Sequence, residues 1–160
     1  MHVLELISKL HGIISLQYSG LMKIVMRILF TLRSWFYDMV YHGVKSDLFV
    51  RLLEEWRRDV LPRLHYEVDT FDCDDYAMYF STWAKMRARE EGVKANGFGV
   101  AIGTVCVQDS CGGHAWSIAI VDDHIVFIEP QLAEILIFDR NEKVFKASDK
   151  AKYWLQAVII

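Results

Sequence analysis

The chain has 160 residues, of which 53% are hydrophobic and 13% aromatic, and its net charge is −3. These values exclude a disordered chain and suit one folded domain with a sizeable core. The slightly negative charge, with no basic block, argues against nucleic acid as a partner.

The first part of the chain has helical periodicity. Residues 3–10 predict a short helix, and residues 21–42 predict a longer one. In the longer segment, polar residues recur at three- and four-residue spacing and form a narrow stripe. Its charges interrupt the roughly 18 uncharged residues that a membrane-spanning helix needs. We favour a helix packed on the protein or on a second copy, which predicts a homodimer through these helices. The alternative is peripheral contact with a membrane surface.

The rest of the chain changes from helical to strand periodicity. Two helices are predicted, between residues 46 and 62 and between residues 72 and 91. Alternating apolar segments then predict an antiparallel meander with strands at 98–107, 114–121, 124–129, 132–138 and 153–160. We therefore expect an α+β fold, with a helical N-terminal region of residues 1–45 and an α+β domain of residues 46–160.

The cysteines Cys73, Cys106 and Cys111 contain no CxxC pair, which argues against a disulfide scaffold or a zinc knuckle. At most one bridge is expected, between Cys106 and Cys111 across a loop. A reducing compartment is the simpler interpretation of three cysteines, so we expect a cytoplasmic protein.

Cys73 lies at the predicted start of a helix, where backbone N–H groups and the helix dipole favour a thiolate. The alternative is structural: Asp72 caps the helix, and Cys73 is a small buried residue. His114 and Glu129 stand at the two ends of a hairpin that turns at residues 122–123, so we expect them side by side on one face. A helix start packed on that face makes Cys73, His114 and Glu129 the nucleophile, base and orienting acid of a triad.

Two sequence runs resemble the papain-like and transglutaminase-like superfamily of cysteine hydrolases. The superfamily's Cys helix and the element after it are similar to CDDYAMYFSTWAKMRAREEGVKANGFGVAIG, and its His strand and hairpin are similar to GGHAWSIAIVDDHIVFIEPQ. The combination of DCDD, GHAW and EPQ is most similar to the cysteine-protease domains of fungal agglutinins. The resemblance covers residues 68–140.

The resemblance implies a papain-like α+β core, in which the helix that bears the Cys packs on an antiparallel sheet. It implies a cysteine protease or an acyl transferase that acts on a peptide or protein substrate through a Cys–His–Glu triad, and it implies calcium. One departure concerns the oxyanion hole, because no Gln precedes Cys73 at the position that the papain-like enzymes use. Gln131 or a backbone N–H could supply that donor. Trp116 is a candidate substrate contact, although such a residue is more often core or pocket wall.

The acidic neighbours of Cys73 oppose a thiolate. Asp72, Asp74 and Asp75 raise the pKa of a nearby thiol through like-charge repulsion. A divalent cation held by these carboxylates removes the conflict, and oxygen ligands suit Ca²⁺ or Mg²⁺. We therefore predict a Ca²⁺ site at these residues; the alternative is that they only cap the helix and face solvent.

Two functions of different classes follow. The first is a cysteine hydrolase that cleaves or transfers at a peptide or amide bond and is activated by calcium. The second is a non-catalytic papain-like module that uses its N-terminal helices for dimerisation or membrane contact.

Overall fold

The computed structural model describes residues 1–68 and 70–160. In these residues, helices come first and strands follow. The helices are α1 Val3–Gln17, α2 Gly20–Arg33, α3 Ser46–Glu55 and α4 Cys73–Glu90, and α3 continues into a π turn at Trp56–Val60 and a 3-10 turn at Leu61–Arg63. The strands are β1 Phe98–Val107, β2 Ser110–Val121, β3 His124–Glu129, β4 Glu134–Ile135, β5 Ile137–Asp139, β6 Val144–Lys146 and β7 Lys152–Ile159.

The helix predicted over residues 21–42 ends at Arg33 instead. The chain after it is extended and pairs with the last residues of the sheet. The N–H of Trp35 donates to the carbonyl of Val158, and the N–H of Tyr37 donates to the carbonyl of Ile160. These bonds satisfy backbone groups that a longer helix would satisfy internally, so tertiary pairing overrides the helical pattern here.

The seven strands form one sheet in the order β4-β3-β2-β1-β7-β6-β5, and each neighbouring pair is antiparallel. β4 and β5 lie at opposite ends of this order, yet only Leu136 separates them in the chain. Its N–H donates to the carbonyl of Phe127 in β3. The two edges of the sheet therefore approach each other, and the sheet is a nearly closed, barrel-like structure.

This closure corrects the expected fold class. We expected a papain-like core with a helix packed on a sheet, and the structure is a nearly closed seven-stranded antiparallel sheet with four helices among the described residues. The sequence predicted one strand over residues 132–138, which breaks at Leu136 into β4 and β5, and β6 was not predicted. Strands of two or three residues carry little periodic signal, so the edge they form was not visible in the sequence.

Alternate residues of β2 face two different apolar clusters, as the period of a strand requires. Trp116, Ile118 and Ile120 pack with α1 and α2 on one side. Ala119 and Val121 pack with α3 and α4 on the other side. The sheet is therefore covered on both faces at β2, which fixes where the start of α4 lies.

The predicted boundary at residue 45, between a helical N-terminal region and an α+β domain, stays a prediction.

Cys106 and Cys111 face each other across the β1–β2 hairpin and form a disulfide, which confirms the predicted bridge. A disulfide is typical of oxidising compartments, so it does not support the cytoplasmic location, which stays a prediction. No helix in the described part of the chain, residues 1–68 and 70–160, combines the length and apolarity needed to cross a bilayer.

Candidate functional site

His114 and Glu129 form a close pair inside the sheet. The Nε2 atom of His114 lies 2.7 Å from the Oε2 atom of Glu129. The Glu129 side chain is almost completely buried, and its second oxygen accepts a hydrogen bond from the backbone N–H of Gln131 at 3.2 Å. The predicted pairing of these two side chains is therefore present in the structure.

α4 begins at Cys73 because Asp72 caps it. The Asp72 side chain accepts a hydrogen bond from the N–H of Asp74, and the Asp75 side chain accepts one from the N–H of Asp72. This reciprocal arrangement is a capping box, which satisfies N–H groups that have no partner within the helix. The structural alternative for Asp72 and Asp75 is therefore present in the structure.

The start of α4 packs on β2 beside His114. The Cys73 side chain lies against Ala115 and takes a hydrogen bond from the backbone of that residue, which follows His114 in the chain. The Ser117 hydroxyl donates to the carbonyl of Ala77 and ties α4 to the same strand. The start of α4 therefore packs on the Ala115 side of β2, and alternation along the strand places His114 and Trp116 on the opposite face.

Burial raises the pKa of the Cys73 thiol, and the charges of Asp72 and Asp74 raise it further. The hydrogen bond from the Ala115 backbone acts in the opposite direction. The thiol form of Cys73 is therefore favoured, as the sequence analysis expected from its acidic neighbours.

Asp72, Cys73 and Asp74 place one potential ligand atom each within 4.8 Å of one another. A hydrogen bond with Asp72, followed by burial, raises the pKa of Asp74. Ca²⁺ takes about six to eight oxygen ligands, and a thiol does not suit it. Asp75, the third predicted ligand, is used in the capping box. The donor set therefore fits calcium only in part, and calcium binding stays a prediction.

A cleft of about 160 Å³ opens beside the His114–Glu129 pair. Its lining is Val105, Val107, His114, Glu129, Gln131, Leu132, Asp149, Ala151 and Tyr153. The Tyr153 and His114 ring centroids are 5.8 Å apart. Burial raises the pKa of Tyr153, and the Glu129 charge adds to this effect. The last strand was predicted, but the sequence carries no signal that brings Tyr153 to this cleft.

Trp116 is fully buried, so it is a wall of the core and not a surface platform. Its ring lies 6.1 Å from the His114 ring and 5.5 Å from the Tyr153 ring. Among the described residues, its indole nitrogen has no hydrogen-bond partner. Gln131, by contrast, lines the cleft as a candidate ligand contact.

A larger cavity of about 610 Å³ lies near the region where the edges of the sheet approach each other. Its polar side chains already have partners. Glu134 accepts hydrogen bonds from the backbone and hydroxyl of Ser148, and Lys146 lies 2.8 Å from Asp139. We consider the His114 cleft the better candidate site because it joins the His114–Glu129 pair to the Gln131 side chain, three residues that the sequence analysis selected.

A family model described as Agglutinin C-terminal matches residues 44–135, which is more than half of the chain. No curated protein is significantly similar to the chain. Among solved structures, a complex of PSL1a with E64 has a TM-score of 0.52 at 23% identity and covers 80% of this chain and 43% of that chain. The Polyporus squamosus lectin bound to the human-type influenza-binding epitope Neu5Aca2-6Galb1-4GlcNAc has a TM-score of 0.50 at 23% identity, with coverages of 80% and 42%.

These two likenesses show a shared fold. The chain spans less than half the length of either solved chain.

The comparisons correct the predicted family and activity. The matched family is described as Agglutinin C-terminal and not as a cysteine hydrolase family, so the assignment to the papain-like and transglutaminase-like cysteine hydrolases is wrong. The predicted cysteine protease or acyl transferase, acting through a catalytic triad on a peptide or protein substrate, is corrected with it. The alternative prediction, a non-catalytic interaction module, is closer to an agglutinin family than the hydrolase prediction is. The motifs behind the assignment describe a helix start and a hairpin, and such local geometry does not specify a function.

Proposed function

We propose a carbohydrate-binding function, on the premise that this chain belongs to the Agglutinin C-terminal family. Family membership is the observation that carries the proposal. The solved lectin of similar fold, which holds an oligosaccharide, supports the same class of ligand. This chain covers only 42% of that lectin, so the proposal concerns the ligand of this chain alone and not the ligand of the whole lectin.

We place the glycan contact at the His114 cleft. Sugar hydroxyls donate and accept hydrogen bonds, while the C–H faces of the ring pack on aromatic groups. The cleft offers the Gln131 amide and the Asp149 carboxylate for hydrogen bonds and the exposed side chains of Val107 and Leu132 for apolar contact, while the buried Tyr153 ring forms its wall. Its volume of about 160 Å³ is below the ~300–1,000 Å³ of most small-molecule sites, so it suits one end of a glycan.

The predicted site residues acquire binding roles in this proposal. His114 and Glu129 hold the shape and polarity of the cleft floor through their hydrogen bond. Gln131 is the adaptable polar contact, because an amide both donates and accepts. Cys73 is not among the residues that line the cleft, and it takes no part in bond making.

The test is a glycan array probed with the purified chain, with neutral and sialylated oligosaccharides, followed by calorimetry on the best ligand. Q131A and D149A should each weaken binding about tenfold, since each removes a hydrogen bond to the ligand. S148A, in the larger cavity, is the matched control and should leave the affinity unchanged.

Two results would overturn the proposal or its placement. If the chain binds no glycan on the array, the proposed carbohydrate-binding function is wrong. Weaker binding by S148A, with Q131A and D149A unchanged, would move the site to the larger cavity.

The finer partner predictions are separate proposals. Pairing with a second copy through the N-terminal helices, peripheral membrane contact and the absence of nucleic-acid binding all stay predictions. Light scattering across a range of protein concentrations tests the homodimer, and a gel-shift assay tests nucleic acid. The membrane prediction gains support from the surface described next.

A further inference from the structure

α2 turns an apolar face outward. Leu21, Ile24, Val25, Ile28 and Leu32 recur at helical spacing, and their exposed fractions run from 40% to 76%. The opposite side of the helix packs on the protein through Phe30, which is the fully buried residue of α2. A helix of this length extends for roughly 20 Å, so the apolar face forms one elongated surface. We call these five residues the α2 apolar face.

The α2 apolar face is accompanied by cations alone. Lys23, Arg27 and Arg33 belong to α2, and residues 20–37 contain no Asp or Glu. Within residues 1–68 and 70–160, these three cations form no ion pair with a carboxylate. Their charge is therefore available to an external partner.

Two exposed aromatic residues follow the helix directly. Trp35 is 61% exposed and Tyr37 is 70% exposed. Their ring centroids are 6.5 Å apart. Trp and Tyr are enriched where a protein meets the headgroup region of a bilayer, because the ring is apolar and one end is polar. The combination of an apolar helix face, cations and terminal aromatics is typical of helices that lie in a membrane interface.

We propose that the α2 apolar face docks on the surface of an anionic lipid bilayer. The helix lies parallel to that surface, its apolar residues enter the headgroup and acyl boundary, and Arg27 and Arg33, which flank the α2 apolar face, contact anionic headgroups. Charge decides between this occupant and a second copy of the chain. A symmetric dimer places the same surface on both partners, so these cations would meet cations without a carboxylate on residues 20–37 to balance them.

The test is flotation of the full chain with vesicles of phosphatidylcholine alone and of phosphatidylcholine mixed with phosphatidylserine. Binding should require phosphatidylserine and decrease at high salt. I24S/I28S should lower the partition coefficient roughly 10- to 100-fold, because it removes two apolar contacts with the bilayer. R27Q/R33Q should lower it roughly 20-fold on anionic vesicles.

The control is M78S/M86S, which replaces two exposed methionines of α4 on the other side of the sheet and should leave partition unchanged. Ile24 and Ile28 are more than half exposed, so I24S/I28S should unfold at the same temperature as the unaltered chain. Failure to float with either vesicle, or equal loss in I24S/I28S and M78S/M86S, overturns the proposal. A dimer in light scattering that I24S/I28S dissociates, without vesicle binding, identifies a second copy as the occupant and also overturns it.

Discussion

His114 and Glu129 meet at 2.7 Å although they are not direct partners in the sheet. Ser117 pairs with Ile128, so Glu129 stands beside the strand position of Trp116 and reaches His114 along a diagonal. Residues 114 and 116 point to the same face of β2, and the two rings stack at an interplanar angle of 25°. The carboxylate is therefore enclosed by the strand and by aromatic side chains, whereas the His114 side chain keeps an exposed fraction of 13% at the cleft.

Removal of the Glu129 carboxylate should destabilise the protein strongly. E129A leaves His114 and the N–H of Gln131 without their shared acceptor in a buried place, and we expect a loss of about 3 kcal/mol in the free energy of unfolding. E129Q keeps one acceptor and should lose about 1 kcal/mol. Urea denaturation measures both values. The control is E142A, which removes a carboxylate on the surface and should change the free energy of unfolding by less than about 1 kcal/mol. Equal losses in E142A and E129A would contradict the burial of the Glu129 carboxylate.

Gly103 is the β1 partner of His114 in the β1–β2 hairpin. Because Gly103 has no Cβ, the Trp154 backbone and the Trp116 ring can approach this position closely. A Cβ at this position would lie 1.9 Å from the carbonyl oxygen of Trp154 and 2.7 Å from the Trp116 ring. Neither a strand backbone nor a buried indole can move far, so G103A should destabilise the protein by about 2–4 kcal/mol. Thermal unfolding is the measurement. G113A, whose Cβ meets nothing within 4 Å, is the control, and a similar loss in both variants would show that the effect is not steric.

The local parts of the site were predictable from the sequence because local chemistry determines them. Asp72 specifies where α4 begins, and Asp122 and Asp123 adopt φ values of 45° and 62° in the two-residue turn that the sequence marked. The closure of the sheet was not predictable, because it depends on strands of two or three residues that form only through tertiary contacts. The end of α2 was missed for the same reason, since pairing of Trp35 with the last strand competes with the helix.

The Cys73 thiol should react slowly at neutral pH. Burial raises its pKa and the charges of Asp72 and Asp74 add to the effect, so the thiolate is scarce until the pH exceeds the usual range for cysteine. D74N removes one negative charge and should accelerate alkylation by iodoacetamide several-fold at pH 8, with the pH–rate curve displaced to lower pH. The control is D47N, because Asp47 lies in the first turn of α3. A D74N curve that superposes on that of the unaltered chain would contradict the role of Asp74.

The same assay tests the calcium prediction. A cation held by Asp72 and Asp74 neutralises the charges that oppose the thiolate, so calcium should increase the alkylation rate and D74N should abolish the increase. A Cys73 alkylation rate that is the same with and without calcium would contradict the predicted calcium site.

Asp139 should contribute to stability in a defined range of acid pH. A hydrogen bond from Lys146, helped by the backbone N–H groups of Glu142 and Asn141, lowers the pKa of Asp139 from 3.8 to about 2. A depressed pKa in the folded state stabilises the protein above the unfolded value, and this contribution is lost as the pH falls from about 4 toward 2. K146M removes the largest cause, so the pKa of Asp139, followed by NMR of its carboxyl carbon, should rise toward 3.8 but stay below it. K143M is the control on the same hairpin, and an unchanged Asp139 titration in K146M would show that the backbone N–H groups alone hold the carboxylate.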